Sequence, residues 1–553
     1  MLRLTEIKLP LAHADDALQA AILHLLNLTP ADLTGFTVFK RSFDARKAVI
    51  MQVYIVDLEL ANPDLEAELL RKHAGSPHVF ATPDMAYRPV GSAPAGQLLR
   101  PVVVGFGPCG IFAALVLAQM GFKPIVLERG TSVRQRTQDT WGLWRKNVLN
   151  PESNVQFGEG GAGTFSDGKL YSQIKDPRHL GRKVMNEFVK AGAPADILYA
   201  AHPHIGTFKL VKVVENMREQ IIALGGEIRF QQRVTDVLIE GSPGERHLRG
   251  LTVLDQTTGQ THEMRADQVV LALGHSSRDT FAMLHARGVY VEAKPFSIGF
   301  RVEHPQGLID RARWGRHAGD PALGAAEYKL VHHASNGRSV YSFCMCPGGT
   351  VVAATSEVGR VVTNGMSQYS RNERNANAGI VVGIDPRDYP GSPLAGIELQ
   401  RQLESHAFVL GGSTYEAPGQ LVGDFVAGRP STALGSVKPS YQPGVAMGDL
   451  SSALPGYAIA AMREAFPAFG QKIKGFDLHD AVLTGVETRT SSPIKMRRGE
   501  DLQSLNVRGL YPAGEGASYA GGILSAGVDG IRVAEAVARS LLADAESLRL
   551  ATA

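Results

Sequence analysis

Three glycines in the first third of the chain have the spacing of a turn that holds phosphates. Gly105, Gly107 and Gly110 follow the apolar run Val102–Val104 in the order G-x-G-x-x-G. In such a turn the first glycine permits a tight bend, the second lets the backbone approach a pyrophosphate, and the third lets the next helix pack closely on the strand. We therefore predict a dinucleotide-binding site that begins at residue 105.

The helix after this turn and the acid after the next strand complete the pattern. The helix is expected to begin near Pro108, so that its free N–H groups and the positive end of its dipole face the phosphates. Cys109 lies in that first turn, where a helix N-terminus lowers the pKa of a thiol. A second apolar run ends in Glu128, roughly 20 residues after Gly110, where a carboxylate binds a ribose, and Arg129 follows directly. A buried core helix is a simpler interpretation of the stretch, whereas a membrane span would need about 18 uninterrupted apolar residues.

A second glycine-rich stretch, FGEGGAGTFSDGKL, begins at Phe157. A backbone with so little side-chain cover permits the close approach of a flat ring, and Gly161 and Gly163 are the contacts that we expect. Lys169, near the end of the stretch, is a candidate charge partner of that ring and a candidate catalytic residue. A flexible surface loop with a solvated lysine is the alternative interpretation.

The composition limits the range of partners. The chain has 553 residues, more than a single core usually organises, so two or three domains are expected. Lys plus Arg number 57 and Asp plus Glu 54, a balance that argues against a nucleic acid or a membrane as partner. Three cysteines are too few for a disulfide framework, and the first residues lack the pattern of an export signal. We predict a cytoplasmic protein with a small-molecule substrate and leave its oligomeric state open.

The N-terminal part of the chain has its own pattern of elements. Residues 1–90 alternate as β-α-β-β-α-β, with a last strand over 78–89, which predicts a small α+β domain of the ferredoxin-like type. Residues 91–99 have the composition of a linker. The central hairpin, KRSFDARK, carries four cations that either contact RNA or phosphate or face the solvent; they are Lys40, Arg41, Arg46 and Lys47.

The remaining chain changes character twice. In residues 100–280, helices and apolar strands alternate, and the run Val269–Leu273 stops abruptly at Gly274. In residues 281–505 helices and strands no longer alternate, and extended segments predict a largely antiparallel domain. In residues 506–553 a strand meets Gly514-Glu515-Gly516, and the final helix is expected to begin near Ile523.

These segments together resemble the FAD-binding proteins of the glutathione reductase type, whose nucleotide-binding domain is split along the sequence. The resemblance implies that the strand from Glu227 to Val234 places a backbone amide against the adenine and that Ala272–Gly274 closes the first half. In that family the C-terminal strand ends in Gly-Asp, whose acid binds the ribityl chain. Here Gly514-Glu515 takes that place and moves the carboxylate by one methylene. Gly522 and Ile523 would then direct N–H groups at the pyrimidine end of the flavin.

More closely, FGEGGAGTFSDGKL and FCMCPGGTVVAATSEVGRVVTNGMS resemble a bacterial family of FAD-dependent dehydrogenases of unassigned substrate that also carries the small N-terminal domain. The resemblance implies an α/β fold in which residues 100–280 and 506–553 form a split Rossmann-like FAD-binding domain. The largely antiparallel substrate domain, residues 281–505, is inserted between its halves. The implied cofactor is FAD, and the expected cofactor-binding residues are Gly105, Gly107, Pro108, Cys109, Gly110, Glu128, Arg129, Gly161, Gly163, Val234, Gly274, Gly514, Glu515, Gly522 and Ile523.

The implied activity is hydride transfer between the flavin and a small organic substrate or NAD(P)H. No second G-x-G-x-x-G occurs between residues 281 and 506, which argues against the glutathione reductase layout but leaves direct docking of a nicotinamide on the flavin open. Two alternatives are a flavoprotein that acts on RNA through its N-terminal domain and a flavin-binding protein without turnover.

Extended segments supply the remaining candidates. Arg301, Glu487 and Arg489 either clamp a substrate carboxylate, which an arginine fork binds through two hydrogen bonds, or form buried structural pairs. Cys344 and Cys346 lie two apart on a predicted strand, so their side chains should share a face. They are interpreted as a redox pair, as metal ligands or as two buried small residues. We predict no metal site, because no second cluster of ligands is visible in the sequence.

Overall fold

In a computed structural model of the chain, residues 1–47, 49–96 and 99–552 are described, with side chains as far as residue 547. Gln97 and Leu98 of the predicted linker and Ala553 of the predicted C-terminal segment lie outside the described residues. The N-terminal elements are β1 (Leu2–Pro10), α1 (Ala17–Leu26), β2 (Leu33–Asp44), β3 (Met51–Leu60), α2 (Pro63–Lys72) and β4 (Val79–Ala81).

The N-terminal strands form one antiparallel sheet in the order β2-β3-β1-β4. Leu2 and Leu4 alternate on the buried face of β1 and pack in one core with Ile22 of α1. The last strand is shorter than the predicted segment 78–89, because only Val79–Ala81 pair with β1. Two of the hairpin cations have partners: Arg46 pairs with Asp44 at 2.7 Å, and the guanidinium of Arg41 lies 5.2 Å from the ring centre of Tyr199.

The elements that follow fall into two stretches. Residues 102–286 form β5 (Val102–Val104), α3 (Pro108–Gln119), β6 (Ile125–Glu128), α4 (Val133–Lys146), α5 (Leu180–Lys190), α6 (Thr207–Ala223), β7 (Glu227–Phe230), β8 (Gln232–Glu240), β9 (His247–Asp255), β10 (Gln260–Arg265), β11 (Val269–Leu271) and α7 (Arg278–Ala286). Residues 292–552 form β12 (Glu292–Ala293), β13 (Phe296–Pro305), α8 (Gln306–Trp314), β14 (Val331–His333), β15 (Ser339–Ala353), β16 (Thr363–Ser367), β17 (Asn375–Ile384), α9 (Ala395–Leu410), β18 (Ala417–Leu421), α10 (Val422–Ala427), β19 (Val445–Met447), α11 (Gly456–Lys472), β20 (Val482–Glu487), β21 (Ile494–Lys495), β22 (Leu510–Pro512) and α12 (Ile523–Thr552). Short 3₁₀ helices lie at Pro30–Asp32, Ala162–Phe165, Ala195–Leu198 and Gly315–His317.

Five short strands form a parallel sheet in the order β22-β11-β5-β6-β7. The central strand β5 is wholly apolar and buried, as expected for a parallel strand covered on both faces. Four of the strands come from residues 102–271, and the fifth comes from residues 510–512. The C-terminal part of the chain therefore completes the sheet, and its long helix α12 packs in one core with α3. The predicted α/β class with a parallel sheet is confirmed.

The strand predicted from Glu227 to Val234 is two strands in different sheets, so the prediction of one continuous strand was wrong. Gln231 has a positive φ of 56°, and the chain bends there between β7 and β8. β7 extends the parallel sheet beside β6, whereas β8 belongs to an antiparallel sheet of order β10-β9-β8.

A larger sheet occupies most of the chain between residues 296 and 487. Its order is β14-β15-β17-β13-β20-β18-β19, with β16 paired to β15, and its pairs are antiparallel except for β18 with β19. Ile298, Phe300 and Val302 of β13 are fully buried in one core with Phe466 and Phe469 of α11. This core fixes the sheet that faces the parallel one across the site described below.

Replacement of Gly110 tests how closely α3 is held to the turn before it. A Cβ atom on Gly110 would lie 2.0 Å from the carbonyl oxygen of Gly105. Gly110→Ala should therefore push the turn and the helix apart and lower the free energy of unfolding by about 2 kcal/mol, measured by urea denaturation. Gly521→Ala is the matched control, because no atom lies within 4 Å of its added Cβ. Equal losses in the two variants would contradict this packing.

Candidate cofactor and substrate site

A cavity of about 840 Å³ lies at the carboxyl ends of the parallel strands. Its walls on that side are the segments after β5, β6, β11 and β22, which is where ligands bind in open α/β sheets. Its opposite wall is formed by Tyr341–Cys346 of β15 and by residues 487, 489 and 490 at the end of β20. The cavity therefore joins the parallel sheet to the antiparallel one, and its volume is in the range of ligand pockets.

Two glycine-rich turns meet at the first end of the cavity. Gly105 has a positive φ of 98°, which the tight turn after β5 requires. A Cβ atom on Gly161 would lie 2.8 Å from the Cα atom of Gly107, so the two backbones touch without side chains between them. Gly107 then caps α3, whose first residue is Pro108. The N-terminal N–H groups of α3 thus face the cavity beside an uncovered backbone.

The Glu128 carboxylate connects three backbone segments around this end. Its Oε2 accepts a hydrogen bond from the N–H of Phe106 at 2.8 Å, and its Oε1 accepts from Gly130 at 2.8 Å and Gly158 at 3.1 Å. A carboxylate offers about four lone-pair positions, so Oε2 keeps one for a further donor. Because Glu128 also lines the cavity, that donor can be a ligand hydroxyl.

Arg136 of α4 holds the glycine-rich loop and was not found by the sequence analysis. Its guanidinium is fully buried and donates to the carbonyl oxygens of Asn154, Val155, Glu159 and Gly161 at 2.7 to 2.8 Å. Burial lowers the pKa of Arg136 to about 10. The sequence does contain one indication of this role: Arg136 falls on the same face of α4 as the buried apolar residues.

Arg129 closes the same end of the cavity from the side of the solvent. Its guanidinium donates to Glu152 at 2.9 Å and to Asp279 at 2.8 Å, and it lies 4.1 Å from the ring centre of Phe157. Val234 of β8 lines the neighbouring wall. Arg129, Phe157 and residues 232–234 of β8 therefore form this part of the wall together.

Glu515 lies in the middle of the cavity wall. Gly514, just before it, has a positive φ of 69°, and its N–H donates to Asp529 at 2.8 Å. Asp529 is itself paired with Arg498. No described residue donates a hydrogen bond to the Glu515 carboxylate, so this group is available to a ligand.

Cys109 lies in the cavity wall, packs against Gly514 and is not the low-pKa thiol that its place in the helix predicted. Its Sγ would be 3.2 Å from a Cβ atom on Gly514, and the side chain is buried. Burial and the nearby Asp529 raise the pKa of Cys109 well above its ordinary value. The desolvation of the thiolate therefore outweighs the helix dipole, and the prediction of a lowered pKa for this thiol was wrong.

The N-terminus of α12 reaches the cavity beyond Glu515. Gly521 and Gly522 are exposed, line the cavity, and have no atom within 4 Å of an added Cβ. Ser525 Oγ accepts from the N–H of Gly521 at 3.1 Å and so orders the turn. Ile523 begins the helix, as predicted, and its side chain approaches Gly163 of the glycine-rich loop.

Lys169 lies at the far end of the cavity, and its Nζ donates to the carbonyl oxygen of Met345. Burial disfavours its ammonium, but Glu327 and Asp167 raise the pKa of Lys169 above its ordinary value. Asp167 and Glu327 both contact Arg371 as well. Although burial favours the neutral acid, the hydrogen bond from His202 and the nearby cations lower the pKa of Glu327 to about 2. The group is therefore a charged network in which Lys169 faces the cavity.

The three extended-segment candidates are held by other protein groups. Arg301 is fully buried behind the wall and donates to Glu487 at 2.9 and 3.2 Å. Arg489 lines the cavity, but it donates to Glu404 at 2.8 and 3.0 Å. Both geometries are those of the buried structural pair, which was the second interpretation of these residues.

Cys344 and Cys346 do not share a face, so that expectation was wrong. Cys344 has a positive φ of 42°, and the pairing of β15 with β17 shifts register between Phe343 and Cys346. As a result Cys344 is exposed and Cys346 is buried, although both border the cavity. Among the residues that the structure describes, no group of three or more His, Cys, Asp or Glu side chains is arranged to hold a metal ion.

Most of the predicted cofactor-binding residues line this one cavity. Gly110 and Gly514 lie behind it and act through packing, and the other thirteen are in its wall. Those thirteen are Gly105, Gly107, Pro108, Cys109, Glu128, Arg129, Gly161, Gly163, Val234, Gly274, Glu515, Gly522 and Ile523. Of the catalytic candidates, Lys169, Glu487 and Arg489 line the cavity and Arg301 does not.

These residues fit a flavin dinucleotide. Uncovered backbone and the N-terminus of α3 suit a pyrophosphate, and the free acceptor positions of Glu128 and Glu515 suit hydroxyl groups. The open space at Gly521 and Gly522 and the backbone of the glycine-rich loop suit a flat ring. No helix among the described residues is both long and apolar enough to cross a bilayer.

The solved structures that the chain matches are distant from it. A variant of E. coli quinol fumarate reductase FrdA is 13% identical, with 82% of this chain and 73% of that chain covered and a TM-score of 0.36. The 3-ketosteroid-delta4-(5alpha)-dehydrogenase from Rhodococcus jostii RHA1 is 12% identical, with 82% and 100% covered and a TM-score of 0.34. At this level of similarity, the substrates of those enzymes do not transfer to this chain.

Sequence comparison is more specific. Residues 295–490 match the family model described as "FAD-dependent protein, C-terminal domain-like", and residues 1–59 match a domain of unknown function, DUF8436. An uncharacterized protein of Clostridium beijerinckii is 46% identical over 540 residues, which cover 97% of this chain and 98% of that protein. The chain therefore belongs to the same family as this C. beijerinckii protein, and its residues 295–490 carry the match to an FAD-dependent protein.

Proposed function

We propose that the chain transfers a hydride between FAD, held in the central cavity, and a small organic substrate or NAD(P)H at the end that the antiparallel sheet lines. The observation that carries the proposal is the continuity of one cavity from the turn at Gly105 to the wall at Tyr341–Cys346. When bound, FAD supplies the capacity to accept or donate a hydride. The protein supplies the placement of the two reactants and the charges around them.

The proposal assigns a role to each part of the chain. Residues 100–280 and 506–553 together bind the cofactor, because the strands β5, β6, β7, β11 and β22 of one parallel sheet come from these two stretches. Residues 281–505 form the substrate domain, because the antiparallel sheet provides the opposite wall of the cavity. Residues 1–90 are a separate α+β domain of the ferredoxin-like type, consistent with the strand order β2-β3-β1-β4.

At the cofactor end, the chain provides acceptors and helix N-termini in sequence along the cavity. Glu128 accepts from a ribose hydroxyl through the free position on Oε2, and the N–H groups of α3 hold the phosphates. Glu515 accepts from hydroxyls of the ribityl chain, and the N–H groups at the start of α12 face the flat ring. Those N–H groups stabilise negative charge on the ring without moving.

At the substrate end, Lys169 is the candidate for contact with the substrate. An ammonium carries three donors, and Met345 takes one of them, so two remain for an anionic or carbonyl oxygen. Arg301, Glu487 and Arg489 build the wall rather than clamp a substrate, because their charged groups already pair within the protein. The substrate that this arrangement fits is small and carries an oxygen acceptor.

The visible spectrum of the purified protein, recorded without oxygen before and after addition of NADPH and then NADH, tests the proposal. We expect a flavin spectrum. Bleaching by either nucleotide would identify NAD(P)H as the hydride donor, and an unchanged spectrum would direct the search to substrates that the protein oxidises. A colourless protein that does not take up added FAD would overturn the proposal.

A variant at Gly522 separates cofactor binding from folding. The added side chain of Gly522→Val would enter the cavity without meeting protein atoms, since none lies within 4 Å of its Cβ. We expect the variant to unfold at the same urea concentration as the unaltered flavin-free protein but to bind FAD at least tenfold more weakly, measured by flavin fluorescence. Gly448→Val, with equal free space outside the cavity, should bind FAD normally. Normal FAD binding by Gly522→Val would contradict this placement of the ring.

The protonation of Glu515 predicts a pH-dependent stability of the flavin-free protein. Burial raises the pKa of Glu515 from 4.5 to about 7, with partial opposition from the ammonium of Lys294. The folded state therefore binds this proton more tightly than the unfolded chain, and the stability it confers is present below pH 4.5 and lost as the pH rises to about 7. Glu515→Gln should remove that loss, so its stability advantage over the unaltered protein should grow from pH 5 to pH 8 in thermal unfolding. Glu263→Gln, at an exposed position, is the control, and parallel curves for Glu515→Gln would contradict the assignment.

A further inference from the structure

His275 lines the cavity directly after the turn that ends β11, and the sequence analysis did not single it out. The turn is held on both sides. The N–H of Ala272 donates to the carbonyl oxygen of Val104 at 2.9 Å, and the N–H of Gly516 donates to that of Leu273 at 2.8 Å. His275 therefore follows a fixed backbone. It lies between Glu515 and the glycine turn after β5, residues 105–107, which we call the phosphate-type turn.

The hydrogen bonds of Ser276 determine which ring nitrogen of His275 carries the proton. Arg489 Nη1 donates to Ser276 Oγ at 3.0 Å, and a guanidinium only donates. The Ser276 hydroxyl therefore keeps its own hydrogen for an acceptor, and among the described residues the acceptor within its reach is His275 Nδ1, 3.1 Å from the same oxygen. When this hydroxyl donates to Nδ1, the proton of the neutral ring is on Nε2.

The group behind Ser276 is rigid. Glu404 is fully buried and accepts two hydrogen bonds from Arg489, at 3.0 and 2.8 Å, and Arg489 also donates to Ser356 at 2.8 Å. Arg278 donates to the same Glu404 carboxylate at 2.7 and 3.0 Å. The buried ion pair with Glu404 thus holds Arg489 where it donates to Ser276. The tautomer of His275 depends on this ion pair, because Arg489 leaves the Ser276 hydroxyl to donate to Nδ1.

The same surroundings keep the His275 ring neutral. The charged groups around it are Arg489, Arg278 and Lys294, opposed by Glu404. Burial and the first two cations lower the pKa of His275 to about 3. No described residue forms a hydrogen bond with Nε2, and this atom is not among the enclosed ones. The free Nε2–H group is therefore a neutral donor that reaches the cavity.

We propose that His275 is a cofactor-binding residue that donates its Nε2–H to an oxygen of the phosphate or ribityl part of the bound dinucleotide, with Ser276 and Arg489 as the positioning residues that fix its tautomer. This role of His275 depends on the proposed function, because it requires a dinucleotide in the cavity. A neutral donor gives a contact whose strength does not change with pH across the physiological range. In this arrangement the buried Arg489–Glu404 pair positions Ser276, and Arg489 itself does not contact the ligand.

Titration of FAD into the flavin-free full-length protein tests the contact. His275→Ala should weaken binding about tenfold, the loss of one hydrogen bond, whereas His275→Gln, which keeps an N–H at the position of Nε2, should restore most of it. His262→Ala, at an exposed position on β10, is the control and should bind as the unaltered protein does. The ratio between His275→Ala and the unaltered protein should stay constant from pH 5.5 to pH 8.

The outcomes separate the two proposals. If the unaltered protein does not bind FAD, the proposed function fails. If it binds FAD and His275→Ala binds equally well, or if the ratio changes about a pH near 6, only the assignment of His275 fails. If His275→Ala does not fold, the tautomer of His275 is measured directly. In ¹H–¹⁵N spectra of protein with labelled histidines, we expect an Nε2–H signal that is absent from His275→Gln. In Ser276→Ala the tautomer should no longer be fixed. A proton on Nδ1 in the unaltered protein would overturn the inference.

Discussion

The buried carboxylate of Glu128 is the contact on which the first end of the cavity depends. It binds the N–H groups of Phe106, Gly130 and Gly158, which belong to the phosphate-type turn, to the end of β6 and to the glycine-rich loop. Each of these N–H groups is buried, so the loss of their common acceptor would leave three donors unsatisfied, at about 1–3 kcal/mol each. The acid at this position therefore connects three segments of the site, among them the two that bring Gly107 and Gly161 into contact.

The parts of this site that follow from local sequence could be predicted, and those that depend on distant partners could not. The start of α3 at Pro108 and of α12 at Ile523 follows from glycine turns next to apolar runs, which act over a few residues. The role of Arg136 depends on four carbonyl groups of residues 154–161, which come next to its side chain only in the folded chain. The positive φ of Gln231 accompanies the change of sheet between β7 and β8, and that of Cys344 accompanies the register shift in β15, because neither residue type requires it.

The charges in the cavity wall are mostly neutralised by neighbours. Arg489 in the wall pairs with Glu404, and outside the wall Arg301 pairs with Glu487 and Arg371 with Asp167, so these three arginines add little net charge to the cavity. Buried pairs of this kind contribute little net stability, because desolvation offsets their attraction, but each fixes the geometry of its neighbours. The charged groups that remain in the wall include the ammoniums of Lys169 and Lys329 and the carboxylate of Glu515. A ligand therefore meets charges of both signs along the cavity.

The N-terminal sheet is joined to this site through its edge strand. The N–H of Arg41 on β2 donates to the carbonyl oxygen of Tyr199 at 2.7 Å, and the N–H of Ala201 donates to that of Arg41 at 2.9 Å. The next residue, His202, contacts Glu327 at 3.2 Å and stacks on the cavity-lining Tyr171 with ring centres 4.8 Å apart. Backbone hydrogen bonds of β2 thus fix the segment that ends at the substrate side of the cavity. The N-terminal unit therefore contributes to the shape of the site, and Arg41, one of the four hairpin cations, lies within this junction.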